Sequence, residues 1–133
     1  MTEPTDLPGF DGLVGLRLVS STKDSTVATL EVTADHHQPF GLLHGGVLAT
    51  IVETVGSISG SAWYGGAVVG TSNHTNFLRA VRTGTLTATS TPVHRGRTQQ
   101  LWEVDITDEH GRLVAKGQLR LANLESADGL GQS

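Results

Sequence analysis

The run from Val47 to Ala62, VLATIVETVGSISGSA, is too long and too continuously apolar for an ordinary strand, and reads as a helix buried over most of its surface. Gly45 and Gly46 stand just before it and leave room for close backbone approach at its start. Nearly everything else reads as strand, so the fold must place one long helix against a sheet. That helix carries a single acid, Glu53, with no Arg or Lys within a turn. A lone carboxylate among Val, Leu, Ile and Ala is costly to bury unless it is paired or used, which makes Glu53 the first functional lead.

The strands follow from alternation. Residues 13–20 (LVGLRLVS) and 26–33 (TVATLEVT) alternate apolar and polar positions around a turn at Lys23-Asp24-Ser25, and predict a hairpin. Four further strands are predicted at 67–81, 84–94, 98–107 and 113–123, punctuated by Gly84, Gly96 and the turn Asp108-Glu109-His110-Gly111. Trp102, Val104 and Ile106 point one way and Glu103 and Asp105 the other, the pattern of a sheet with one wet face. The expected architecture is α+β: an antiparallel sheet of five to six strands wrapped around one central helix. A single domain over residues 1–124 accounts for the pattern, with the polar tail 125–133 expected to be disordered.

Composition narrows the function. Cysteine is absent, which removes disulfides, thiolate metal sites and a Cys nucleophile. No basic leader precedes an apolar run, and no stretch reaches the length of a membrane span, so a soluble cytoplasmic protein is expected. The net charge of −4 conceals an asymmetry. From Thr54 to Trp102 there is no acid, yet the stretch holds Arg79, Arg82, Arg95 and Arg97 as well as His74 and His94. Such a segment suits a small anionic ligand, because Arg presents a planar fork of donors to phosphate oxygens; it also fits a solvated strand face. An acidic chain without stacking aromatics or zinc-finger spacing does not point to nucleic acid.

The order strand, strand, long helix, four strands, with QPFGLLHGG at the helix entrance and Glu53 and Ser57 on the helix, resembles the hot-dog-fold acyl-CoA thioesterases. Gln38, His44, Gly45, Glu53 and Ser57, followed by NFLR at 76–79 and VHRGR at 93–97, resemble one branch in particular. It contains the helix-glutamate 4-hydroxybenzoyl-CoA thioesterases, the phenylacetate-degradation thioesterases and those of menaquinone and enterobactin synthesis. The resemblance covers residues 13–123 and implies hydrolysis of an acyl-CoA, with coenzyme A as part of the substrate, no cofactor and no metal. It assigns the Gly45 N–H to the oxyanion, Glu53 to nucleophile or general base, and Gln38, His44 and Ser57 to positioning. It places the pantetheine arm and nucleotide phosphates near Gly70, Asn76, Phe77 and Arg79 and near the turn His94-Arg95-Gly96-Arg97. Arg79 and Arg97 are the preferred phosphate contacts.

Chemistry leads the same way. Thioester hydrolysis needs an oxyanion stabiliser and a group that attacks or activates water. Unpaired amides at a helix start, at the positive end of its dipole, supply the first, and Glu53 the second. Ser57, four residues on, shares the face of Glu53. Gly45 and Glu53 are eight residues apart, about 12 Å along a helix. Reacting atoms must come within roughly 3–3.5 Å, so both groups reach one carbonyl only if antiparallel helices of two protomers face each other. A homodimer with two shared sites is therefore expected, and the resemblance implies that dimers pair into a homotetramer. His36, His37 and His44 invite a metal reading, but the usual two-His-plus-acid spacing on a helix is missing. A non-catalytic acyl-CoA-binding hot-dog protein and a hot-dog dehydratase or hydratase are the alternatives.

Overall fold

The computed structural model describes residues 3–126. In chain order it contains β1 (Thr5–Asp6), α1 (Gly9–Val14), β2 (Arg17–Ser21), β3 (Thr26–Val32), a 3-10 turn (Ala34–His36), α2 (Gly45–Tyr64), β4 (Val68–Phe77), β5 (Gly84–Arg95), β6 (Gln99–Thr107) and β7 (Leu113–Asn123). The strands form one sheet in the order β1-β2-β3-β5-β6-β7-β4, antiparallel at each pairing. α2 leaves β3, crosses the sheet, and delivers the chain to β4 at the far edge. Among the described residues β4 pairs with β7 on one side only, which leaves a ten-residue strand with an unpaired edge.

The alternation read from the sequence is the alternation of burial. Leu30 and Val32 of β3, Leu86 and Ala88 of β5, and Leu119 and Leu121 of β7 turn inward with Trp102, Val104 and Ile106. On the wet face Lys116 of β7 bridges Glu103 and Asp105 of β6 at 3.0 and 2.9 Å, and these two carboxylates, Asp105 foremost, raise its pKa above the ordinary lysine value. The inner face of α2 is Leu48, Ile51, Val52, Val55, Gly56, Ser59 and Gly60, spaced by threes and fours against the sheet.

Four expectations need correction. The helix is buried along that stripe rather than over most of its surface: Ala49, Thr50, Glu53, Thr54 and Ser57 are only half-covered. The strand predicted at 13–20 begins only at Arg17, because Gly9–Val14 form α1. Gly15 ends that helix at φ 94°, a conformation glycine adopts without steric cost, and its N–H returns to the carbonyls of Asp11 and Gly12. The strand predicted at 67–81 stops at Phe77, where the N–H groups of Leu78 and Arg79 both turn to the Val114 carbonyl. Finally, the two-residue β1 brings the sheet to seven strands. The expected disorder of the tail lies, from residue 127 on, outside the described residues.

Candidate active site

The entrance to α2 is built from backbone hydrogen bonds. Gln38 N–H donates to Leu42 O at 2.8 Å, Leu43 N–H to Val81 O at 2.7 Å and His44 N–H to His36 O at 2.9 Å. His44 is the N-cap: its Nδ1 accepts from Gly46 N–H at 2.8 Å and its carbonyl from Val47 N–H at 3.0 Å. With Nδ1 accepting, a neutral ring carries its proton on Nε2. Of the first three amides of the helix, only that of Gly45 has no partner among the described residues. Gly45 lies under Phe77, where a Cβ would come within 2.5 Å of Phe77 Cε2. Gln38, Gly45, Phe77 and Arg79 share one depression of about 250 Å³. Gln38 Oε1 accepts from Phe40 N–H at the turn.

Glu53 faces a second depression, about 340 Å³, with Phe10, Asp11, Thr50, Thr54 and Asn73. Asn73 Nδ2 donates to Ala49 O at 2.9 Å and reaches Glu53 Oε1 at 3.4 Å, while Thr75 Oγ1 donates to Asn73 Oδ1 at 2.7 Å. Oε2 of Glu53 rests against Gly70, where a Cβ would stand 2.1 Å from it. Among the described residues Glu53 forms no ion pair. Ser57, one turn on along the same face, makes no hydrogen bond to the carboxylate among the described residues. Asn73 makes that hydrogen bond, and its place beside Glu53 is not legible in the sequence. A register shift between Gly70 and Ser72 breaks the alternation of β4 and turns both Gly70 and Asn73 toward Glu53.

The residues read as contacts for coenzyme A fall into two groups that one chain keeps apart. Asn76, Phe77 and Arg79 lie at the end of β4 and in the connection that follows it, while His94, Arg95, Gly96 and Arg97 lie at the far end of β5; Gly70, toward the start of β4, shares a cross-strand row with Leu121, Gln100 and Arg95. Phe77 is level with Ala115, Ile106 and Ala88, seven residue steps along β5 from Arg95, about 23 Å of strand path. The acid-free segment is thus not one patch within a chain. Arg79 and Arg97 have exposed side chains. Arg95 is engaged: its Nη1 donates to Asp24 Oδ1 at 2.8 Å and to Lys23 O at 3.0 Å, and its guanidinium lies 5.7 and 5.9 Å from the ring centroids of Trp63 and Trp102. Gly96 N–H donates to Gln99 O and closes the β5–β6 turn, with His94 packed beside it.

The three histidines near the entrance diverge. His36 Nε2 donates to Val14 O at 2.5 Å, His37 Nε2 to Arg82 O at 2.6 Å, and His44 Nδ1 serves the cap. Among the described residues no three His, Cys, Asp or Glu side chains are grouped to hold a metal ion, and no helix is long and apolar enough to cross a membrane.

Comparison with known proteins gives a consistent picture. Residues 40–115 match the model of the Thioesterase superfamily. The crystal structure of AziG from S. sahachiroi superposes with a TM-score of 0.86 at 47% identity, over 89% of this chain and 98% of that one. That of thioesterase HI1161 from Haemophilus influenzae does so with a TM-score of 0.81 at 38% identity, over 89% and 85%. The 1,4-dihydroxy-2-naphthoyl-CoA hydrolase of Escherichia coli is 36% identical over 115 residues, 85% of each chain.

Proposed function

The chain belongs to the thioesterase superfamily and is a thioester hydrolase, and we propose that it cleaves an aryl- or medium-chain acyl-CoA to the free acid and coenzyme A. The observation that carries the assignment of roles is that, among the described residues, the Glu53 carboxylate has no ion pair and the Gly45 N–H on the same helix has no hydrogen-bond partner. As general base, Glu53 takes a proton from water while the water oxygen bonds to the thioester carbon. The carbonyl oxygen becomes an oxyanion on Gly45 N–H; when it collapses, the C–S bond breaks and the thiolate of coenzyme A leaves with the proton. As nucleophile, Glu53 bonds to the same carbon, expels the thiolate, and forms an anhydride that water opens. His44 and Gln38 hold the entrance loop around the oxyanion donor, and Ser57 lies one turn beyond Glu53 on the same face. Neither route calls on a metal or a resident cofactor.

Gly45 and Glu53 open into different depressions about 12 Å apart along α2, which supports a site completed by a second protomer. The unpaired edge of β4 offers a surface for a homodimer, and two such dimers would form the homotetramer. The same assembly would allow Arg79 of one chain and Arg97 of another to meet one nucleotide. The test is thiol release from a panel of acyl-CoAs by wild type and Glu53→Gln. Turnover should fall at least roughly 10²-fold with the fold intact. A variant that retains near wild-type turnover overturns the role of Glu53.

A further inference from the structure

The β5–β6 turn is the outer end of a chain of hydrogen bonds that starts in the core. Trp102 and Gln100 are both fully buried. The Trp102 indole can only donate, and its Nε1 gives its proton to Gln100 Oε1 at 2.7 Å, which fixes the orientation of that amide. Gln100 Nε2 then donates to Gly60 O of α2 at 3.2 Å and to Asn123 Oδ1 at 2.6 Å. The polarity passes on to Asn123, whose Nδ2 donates to Gly96 O at 2.9 Å and to Arg97 O at 3.1 Å. The backbone N–H of Asn123 takes the next carbonyl, that of Thr98, at 2.9 Å. One residue at the end of β7 thus holds three consecutive carbonyls of a turn that Gly96 N–H already closes on Gln99 O. The guanidinium of Arg97 on that turn is exposed, with no hydrogen bond or ion pair among the described residues.

Resting on the reading of Arg97 as a phosphate contact, we propose that Asn123 is the positioning residue of that contact: it sets the backbone from which Arg97 reaches the nucleotide phosphates of coenzyme A. Two effects follow from the geometry. A carbonyl oxygen repels a phosphate, and Asn123 draws the negative ends of three peptide dipoles onto its own donors. Holding the turn also removes in advance backbone freedom that binding would otherwise have to remove. Gln100 and Trp102 act one step further back, by fixing which way the Asn123 amide faces.

The test takes the acyl group of the panel that is released fastest and presents it as its coenzyme A thioester and as its pantetheine thioester, which lacks the nucleotide. Arg97→Ala should raise KM for the CoA thioester about tenfold, the scale of one lost charged hydrogen bond. Asn123→Ala and the similarly sized Asn123→Leu should raise it about threefold or more, the scale of ordering one long side chain at a binding site. In both Asn123 variants kcat, and KM for the pantetheine thioester, should stay as in wild type. Added to Arg97→Ala, Asn123→Ala should raise KM no further, because it acts through Arg97. The proposal is overturned by an unchanged KM in both Asn123 variants, by an equal rise on both thioesters, or by additive effects in the double variant. Failure of both Asn123 variants to fold overturns it too, since Asn123 is then a structural residue. Arg97→Ala without effect on an active enzyme removes the phosphate contact, and the proposal with it, while leaving the thioesterase reading intact. A wild type inactive on every acyl-CoA overturns all three.

Discussion

At the Cα of Gly70 the Glu53 carboxylate meets backbone rather than a side chain, and the fit leaves no room for a methyl group. Gly70→Ala would put a Cβ 2.1 Å from Oε2 where nothing real can sit, so the carboxylate has to move. A displacement of about 1 Å at a reacting group costs on the order of 10²-fold. We therefore expect kcat for acyl-CoA hydrolysis to fall by that order while the circular dichroism spectrum is preserved. Unchanged kcat would mean that the carboxylate position seen here is not the productive one. Glu53 was legible because a single acid in an apolar helix stands out by its cost. Asn73 was not: an Asn in a polar edge strand carries no signal, and its direction is set by a register shift against β7 that depends on residues far away in sequence.

Elements with long periods were readable and short ones were not. α2 and β5, β6 and β7 fall within a few residues of their predicted limits because each repeats its pattern over nine positions or more. α1 has six residues, too few to repeat a helical pattern, and Leu16 and Leu18 just beyond it extend a strand-like alternation back toward Val14. The β5–β6 end of the sheet tests how far an arginine's neighbourhood decides its role. Arg95→Ala loses the two indole contacts, each worth about 0.5–1 kcal/mol, and should lower Tm by a few degrees with KM unchanged. Arg79→Ala should leave Tm alone and raise KM for acyl-CoA about tenfold, as the loss of one charged hydrogen bond of roughly 1.5 kcal/mol implies. The opposite pattern in thermal melts and steady-state kinetics would exchange the two roles. The hydrogen bond from Arg95 holds the Asp24 carboxyl below its ordinary pKa. A carboxyl depressed in the folded state stabilises above its unfolded pKa, about 3.9, and loses that contribution as pH falls through the folded value. The Tm difference between wild type and Asp24→Asn should therefore be constant above about pH 4 and shrink below it. A difference that grows toward acid would show that Arg95 does not favour the charged form of Asp24.

For the whole molecule the charge asymmetry of the sequence was real, but a chain folded into one sheet distributes it to opposite ends, and only an assembly can gather it again. The helix rise makes the same demand on the chemistry: one α2 keeps Gly45 and Glu53 about 12 Å apart, beyond the reach of one carbonyl. Subunit mixing tests this directly. Glu53→Ala and His44→Ala are purified separately, each shown to be inactive, and then allowed to exchange, with mass-tagged subunits reporting the exchange. If the entrance at His44-Gly45 and the acid at Glu53 that serve one substrate come from different protomers, each heterodimer has one site with both lesions and one with neither. Random pairing makes half the dimers mixed, so activity should return to about a quarter of the wild-type level. Recovery on that scale requires a site drawn from two chains, because no protomer in the mixture carries both groups. Exchange without recovery would place both groups of each site in one chain, and α2 would then have to bend or the loop at Gln38 fold over far enough to close the 12 Å.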